Sequence, residues 1–245
     1  MDLQSLITAA PLVTYFFGLG DLKRKALRLQ KEGKEAEFRT LIEEAIIKWS
    51  EYTLRRVGAE VVVEGKENLP AGAALFVANH QGIFDIPVLF AHVRPAAMMA
   101  KIELSKVPVF SFWMREVGCV FVDRGNKRQA VEAVKQSVGV LKSGRSFMMF
   151  PEGTRSKNRE IGDFKGGAMS VAARADVPIV PVVIDGTDLL FEGNPGRNIR
   201  PGKVRMRILP PVSGIAARGN AERAAALEQI RQDMIAVQKE WRCEE

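Results

Sequence analysis

The stretch "AALFVANHQGIFDIP", residues Ala73 to Pro87, reads as a strand that ends in a turn and restarts as a helix. Its first half is an unbroken apolar run with phenylalanine and valine, the pattern of a strand buried on both faces. Asp85-Ile86-Pro87 opens the helix, because proline suits a first helical turn and the residue before it resists the α conformation. A strand that passes through a short turn into a helix is the building unit of an α/β sheet.

The same unit recurs in both directions along the chain. "AEVVVEG", "AAMMA", "VGCVFVD", "SFMMF", "VPIVPVVI" and "KVRMRIL" read as further strands. Between them, 87–93, 107–114, 126–142 and 167–175 read as helices, with a closing helix over 219–241. The expectation is an α/β fold with a largely parallel or mixed central sheet of about seven strands covered by helices. The stretch Phe191 to Gly202 is turn chemistry between the last two strands.

Ahead of Gly58 the pattern changes. Leu3 to Gly20 carries no charge, yet Pro11 and several weakly apolar residues make it a poor membrane span, so a segment lying in the lipid interface is expected. Lys23, Arg24, Lys25, Arg28, Lys31 and Lys34 follow it, the polybasic flank that an anionic cytoplasmic leaflet attracts. From Lys34 to about Val57, Phe38, Leu41, Ile42, Ala45, Ile46, Trp49 and Thr53 recur at helical steps; packing on its own domain and contact with lipid both fit that stripe. Residues 1–57 are therefore expected to form a two-helix membrane-binding hairpin hinged near "KEGK", ahead of an α/β domain over 58–245.

The 245 residues carry a formal charge of +7, which implies an anionic partner. Nucleic acid is set aside, because basic and acidic residues interleave outside the hairpin flank and no reading motif is present. Cys119 and Cys243 form no paired motif, and His80 and His92 are the only histidines. Neither a disulfide framework nor a metal site is expected, and a cytoplasmic setting fits.

His80 and Asp85 flank the turn of the opening stretch. On a regular helix that spacing would separate the side chains, whereas a turn containing Gly82 can bring them together. An imidazole held by a carboxylate at one nitrogen is basic at the other, the base-and-orienter half of a hydrolase triad. No G-x-S-x-G supplies a nucleophile, which points to a substrate hydroxyl as the attacking group. The plainer reading makes Asp85 a helix cap and His80 a turn residue.

"FPEGTRS", Phe150 to Ser156, also follows a strand, and strand ends of an α/β sheet are where ligands sit. Arg155 offers a fork for phosphate, Gly153 lets backbone amides approach a ligand, Thr154 adds a hydroxyl, and Glu152 can accept hydrogen bonds from a polyol. Lys101 and Arg124 close two other strands, so with Arg155 they form a candidate phosphate pocket at one rim.

His80 and Asp85 in H-x-x-x-x-D, Arg124 in "GCVFVDR", "FPEGTRS" and "VPIVPV" occur in the order and approximate spacing of the four blocks of the glycerophospholipid acyltransferases. The chain most closely resembles the bacterial 1-acyl-glycerol-3-phosphate acyltransferases, over roughly Gly58 to Pro211, and "KIEL" and "FKGG" add to the likeness. One departure is Gly82, where that family often has serine. The resemblance implies acyl transfer from acyl-CoA or acyl carrier protein to the sn-2 hydroxyl of lysophosphatidate, giving phosphatidate, with no cofactor. It implies His80 as general base, Asp85 as its orienter, and Lys101, Arg124, Glu152, Gly153, Thr154 and Arg155 as acceptor-binding residues, at the cytoplasmic face of the cell membrane. Another lysophospholipid or glycerol 3-phosphate as acceptor, or a non-catalytic anionic-lipid-binding protein, are the alternatives.

Overall fold

The computed structural model describes Ile7, residues 15–123 and residues 127–243. After a 3-10 turn at Tyr15–Leu19 come helices α1 (Gly20–Lys31) and α2 (Glu35–Val57). Most of Leu3 to Gly20, read as an interfacial segment, lies outside the described residues, as does Arg124. The break between α1 and α2 falls at Glu32–Lys34, within the expected hinge, and Gly58 in the left-handed region ends α2.

The remaining order is β1 (Ala59–Glu64), β2 (Leu75–Ala78), α3 (Asp85–His92), β3 (Ala97–Lys101), α4 (Pro108–Val117), β4 (Val120–Val122), α5 (Lys127–Lys142), β5 (Phe147–Met149), α6 (Gly167–Ala175), β6 (Ile179–Asp185), β7 (Gly202–Ile208) and α7 (Asn220–Cys243). Every apolar run read as a strand forms one, and the seven strands make one sheet in the order β1-β7-β6-β2-β5-β3-β4. Strands β6, β2, β5, β3 and β4 are mutually parallel; β7 runs antiparallel to β6 and pairs in parallel with β1. The sheet is therefore mixed, with a parallel centre.

Both faces of the central strands are covered, which explains the unbroken apolar runs of β2 and β6, whereas β1 and β7 alternate in burial. On one face Phe76 and Ala78 of β2 pack with α2, α3 and α4; on the other Leu75 and Val77 pack with α5, α6 and α7. The stripe read on α2 faces this core: Phe38, Leu41, Ile42, Ala45 and Ile46 are buried in the same cluster as the sheet. Of the two contacts considered for that stripe, packing on its own domain is the one formed.

Because the central strands are parallel, the segments that follow β2, β3, β5 and β6 emerge at one rim. From β2 the chain crosses to β3 past β5, whereas from β5 it crosses to β6 past β2, so opposite crossovers part above β2 and β5. A crevice at such a point is the usual ligand address of an α/β sheet.

Candidate active site

His80 follows β2, and alternation along the chain decides where it points. Asn79 donates to the Ile184 carbonyl and accepts from the Ile184 amide, both at 2.8 Å. Gln81 donates to Asp185 Oδ1 at 2.7 Å and accepts from the Gly186 amide at 2.9 Å. These two side chains tie the turn to the end of β6, and His80 between them stacks on Phe150, with centroids 4.0 Å apart.

The turn brings the imidazole and the carboxylate together. His80 Nδ1 lies 2.6 Å from Asp85 Oδ2, which also accepts from the amides of Gln81 at 2.7 Å and Gly82 at 3.0 Å. Thr187 donates its hydroxyl to Asp85 Oδ1. Asp85 is fully buried and its carboxylate folds back over the turn. No side chain caps the start of α3, so the helix-cap reading of Asp85 does not describe the structure. With Nδ1 committed to a pure acceptor, Nε2 is the nitrogen left to take a proton.

Gly82 matters through the space it leaves. Its φ is not positive, but a Cβ there would come within 2.8 Å of Glu192 Oε2. Glu192 accepts from the Ile83 amide at 2.8 Å and pairs with Arg155 at 3.1 Å. Its Oε2 has no hydrogen-bond partner among the described residues, and burial pushes its carboxyl up from the ordinary glutamate value. The edge of that carboxylate therefore fills the space a side chain at position 82 would need.

The "FPEGTRS" loop crosses beside His80. Glu152 is buried, and its two oxygens accept from the amides of His80 at 2.9 Å and Gly162 at 3.0 Å. Both oxygens are thus engaged by backbone amides, and burial pushes its pKa up. Gly153 has φ +73, a conformation that favours glycine, and a Cβ there would meet Lys165 Nζ at 2.6 Å. Lys165 of "FKGG" is thus a further cation over the loop.

His80, Lys101, Thr154 and Arg155 line the mouth of one cavity of about 360 Å³. Its other walls are apolar, among them Ile46 and Trp49 of α2, Met98 of β3, Trp113 of α4 and Cys119. Cys119 precedes β4, so the cavity runs from the His80 rim toward the opposite ends of the parallel strands; burial pushes its thiol up to about 11. Among the described residues no group of three or more His, Cys, Asp or Glu is placed to hold a metal ion.

Of the residues expected to form a site, His80, Asp85, Lys101, Glu152, Gly153, Thr154 and Arg155 therefore meet at one rim. Glu192, Thr187, Gln81 and Phe150 were not singled out from the sequence. Nothing in its spacing links Asp85 to Thr187, 102 positions away. The glutamate sits in a stretch that reads as a plain turn.

The acyltransferase family profile matches residues 60–185, half of the chain and every block of the site. The chain belongs to the acyltransferase family. It is 41% identical over 136 residues to a "Probable 1-acyl-sn-glycerol-3-phosphate acyltransferase" of Mycoplasma pneumoniae, covering 53% of this chain and 51% of that protein. It is 36% identical over 161 residues to the 1-acyl-sn-glycerol-3-phosphate acyltransferase of Saccharomyces cerevisiae, covering 64% and 53%. The matched segment thus spans about half the length of these curated relatives. The crystal structure of the 1-acyl-sn-glycerophosphate (LPA) acyltransferase PlsC from Thermotoga maritima superposes with a TM-score of 0.83 at 30% identity, covering 97% of this chain and 95% of that one.

Proposed function

We propose that this acyltransferase moves a fatty acyl group from a thioester of coenzyme A or acyl carrier protein to the sn-2 hydroxyl of lysophosphatidate, forming phosphatidate. The observation that carries the reading is a histidine, oriented by a buried carboxylate, at the mouth of an apolar cavity whose rim also bears Lys101 and Arg155.

In this mechanism the acceptor phosphate sits on Lys101 and Arg155, with Thr154 beside them and Arg124 as a further contact. His80 Nε2 takes the proton of the hydroxyl as its oxygen attacks the thioester carbonyl. Asp85 keeps the imidazole in the right tautomer and stabilises the imidazolium. The carbon–sulfur bond then breaks, and the departing thiolate regains that proton from His80, so the base returns to its starting state. A positioned base contributes on the order of 10²- to 10⁴-fold; orientation of the two substrates supplies much of the rest. Glu152 supports the backbone at His80 and Gly162, Gly153 gives the Arg155 loop its turn, and Glu192 keeps that guanidinium at the rim until phosphate takes its place.

The apolar cavity fits the acyl chain. Residues 1–57 would set the enzyme on the cytoplasmic face of a membrane, where its lipid acceptor lies. Two observations support this: α1 presents Lys23, Arg24, Lys25 and Arg28 outside the core, and α2 supplies Ile46 and Trp49 to the cavity wall. No helix among the described residues is long and apolar enough to cross a membrane.

The test is an acceptor panel of lysophosphatidate, other lysophospholipids and glycerol 3-phosphate, each with both thioester donors, read by mass spectrometry of the lipid product. Phosphatidate as the dominant product supports the assignment; dominant acylation of another acceptor replaces it.

A further inference from the structure

Thr187 stands outside every motif read in the sequence, yet among the described residues it is the donor to Asp85 Oδ1. Both residues are fully buried. The segment that carries the hydroxyl is itself anchored. Gln81 binds both Asp185 and Gly186, and Arg159 donates to Asp185 Oδ2 at 2.7 Å. These hydrogen bonds tie the end of β6 to the His80 turn, on which the hydroxyl meets the carboxylate.

We propose that Thr187 is a positioning residue for acyl transfer: its hydrogen bond sets the rotation of the Asp85 carboxylate and so aims Oδ2 at His80 Nδ1. The assignment rests on His80 being the general base. Oδ2 takes the His80 ring and the amides of Gln81 and Gly82, so three groups share that oxygen while Thr187 is bound to the other. Without the hydroxyl, Oδ1 would be a buried anionic oxygen with no donor. The carboxylate would then turn to share those donors between its oxygens, and the short bond to the imidazole would lose its alignment. Thr187 does not line the cavity, so substrate binding should be untouched while the chemical step slows.

Two substitutions separate hydroxyl from bulk. Thr187→Val keeps the shape and removes the hydroxyl; Thr187→Ser keeps the hydroxyl and removes the methyl. With lysophosphatidate and an oleoyl thioester, the valine variant should lose about 10- to 100-fold in kcat, with KM for both substrates unchanged. The serine variant should stay within roughly threefold of wild type. If the valine protein does not accumulate in folded form, Thr187→Ala against Thr187→Ser makes the same comparison, because both lack the methyl. A serine variant as slow as valine or alanine assigns the loss to packing and overturns the proposal. So does a loss confined to KM, or a wild-type kcat without the hydroxyl. His80→Ala, run alongside, isolates the underlying reading: wild-type turnover there removes the base itself, whereas an inactive His80→Ala beside a fully active Thr187→Val removes Thr187 alone.

Discussion

Removing the Glu152 carboxylate tests whether the "FPEGTRS" glutamate serves the backbone or the substrate. In the structure its oxygens accept from the amides of His80 and Gly162. Glu152→Ala leaves both amides without an acceptor, at about 1–3 kcal/mol each. Part of that is recovered, because burial already disfavours the charged carboxylate and pushes its pKa up. A net loss of about 2–4 kcal/mol is expected, which for a chain of this size lowers Tm by roughly 5–15 °C. Glu152→Gln retains one carbonyl acceptor, so its loss should fall near half of that. The assay is thermal unfolding followed by circular dichroism, paired with steady-state kinetics well below the lower Tm. Turnover should drop, because the His80 backbone loses its anchor, while acceptor KM holds. A Tm within about 1 °C of wild type, joined to a raised acceptor KM, would refute the reasoning and put Glu152 in direct contact with the acceptor.

Arg155→Ala should raise acceptor KM and lower kcat/KM about 10- to 100-fold, with little effect on donor KM, since a charge-assisted bond to phosphate is lost; unchanged acceptor kinetics would remove it from the phosphate site. Cys119→Leu adds two carbons to the cavity wall on the side away from His80. Losing room for two methylenes costs about 1.6 kcal/mol, so the preference for long over short acyl donors should fall roughly 15-fold, measured as a ratio of kcat/KM values. An unchanged ratio would take the acyl chain out of this cavity.

Much of the fold was legible because its centre is parallel and covered on both faces. Such strands show as apolar runs, and all of those runs pair in the sheet. Their order was not legible. β5 inserts between β2 and β3, and β7 reverses direction, through contacts between segments far apart in sequence. The site divides in the same way. His80 and Asp85 share one turn, Lys101 ends β3, and Arg155 sits in the loop that follows β5, so local spacing exposes them. Thr187 and Glu192 reach that turn only because β6 lies beside β2, more than 100 positions on. The backbone-supporting place of Glu152 was hidden because its partners are amides, which no side-chain pattern reveals. Gly82 showed as a departure from the family's serine, but its reason, the Glu192 carboxylate against it, needed the fold.

The central claim is that His80 takes the proton of a lysophosphatidate hydroxyl. Its most direct test is the rate of phosphatidate formation by purified His80→Ala protein, followed by mass spectrometry, with folding verified by circular dichroism. Loss of a general base predicts a folded protein at least about 10²-fold slower in kcat, with lysophosphatidate KM little changed. A folded His80→Ala protein that makes phosphatidate at the wild-type rate would contradict it.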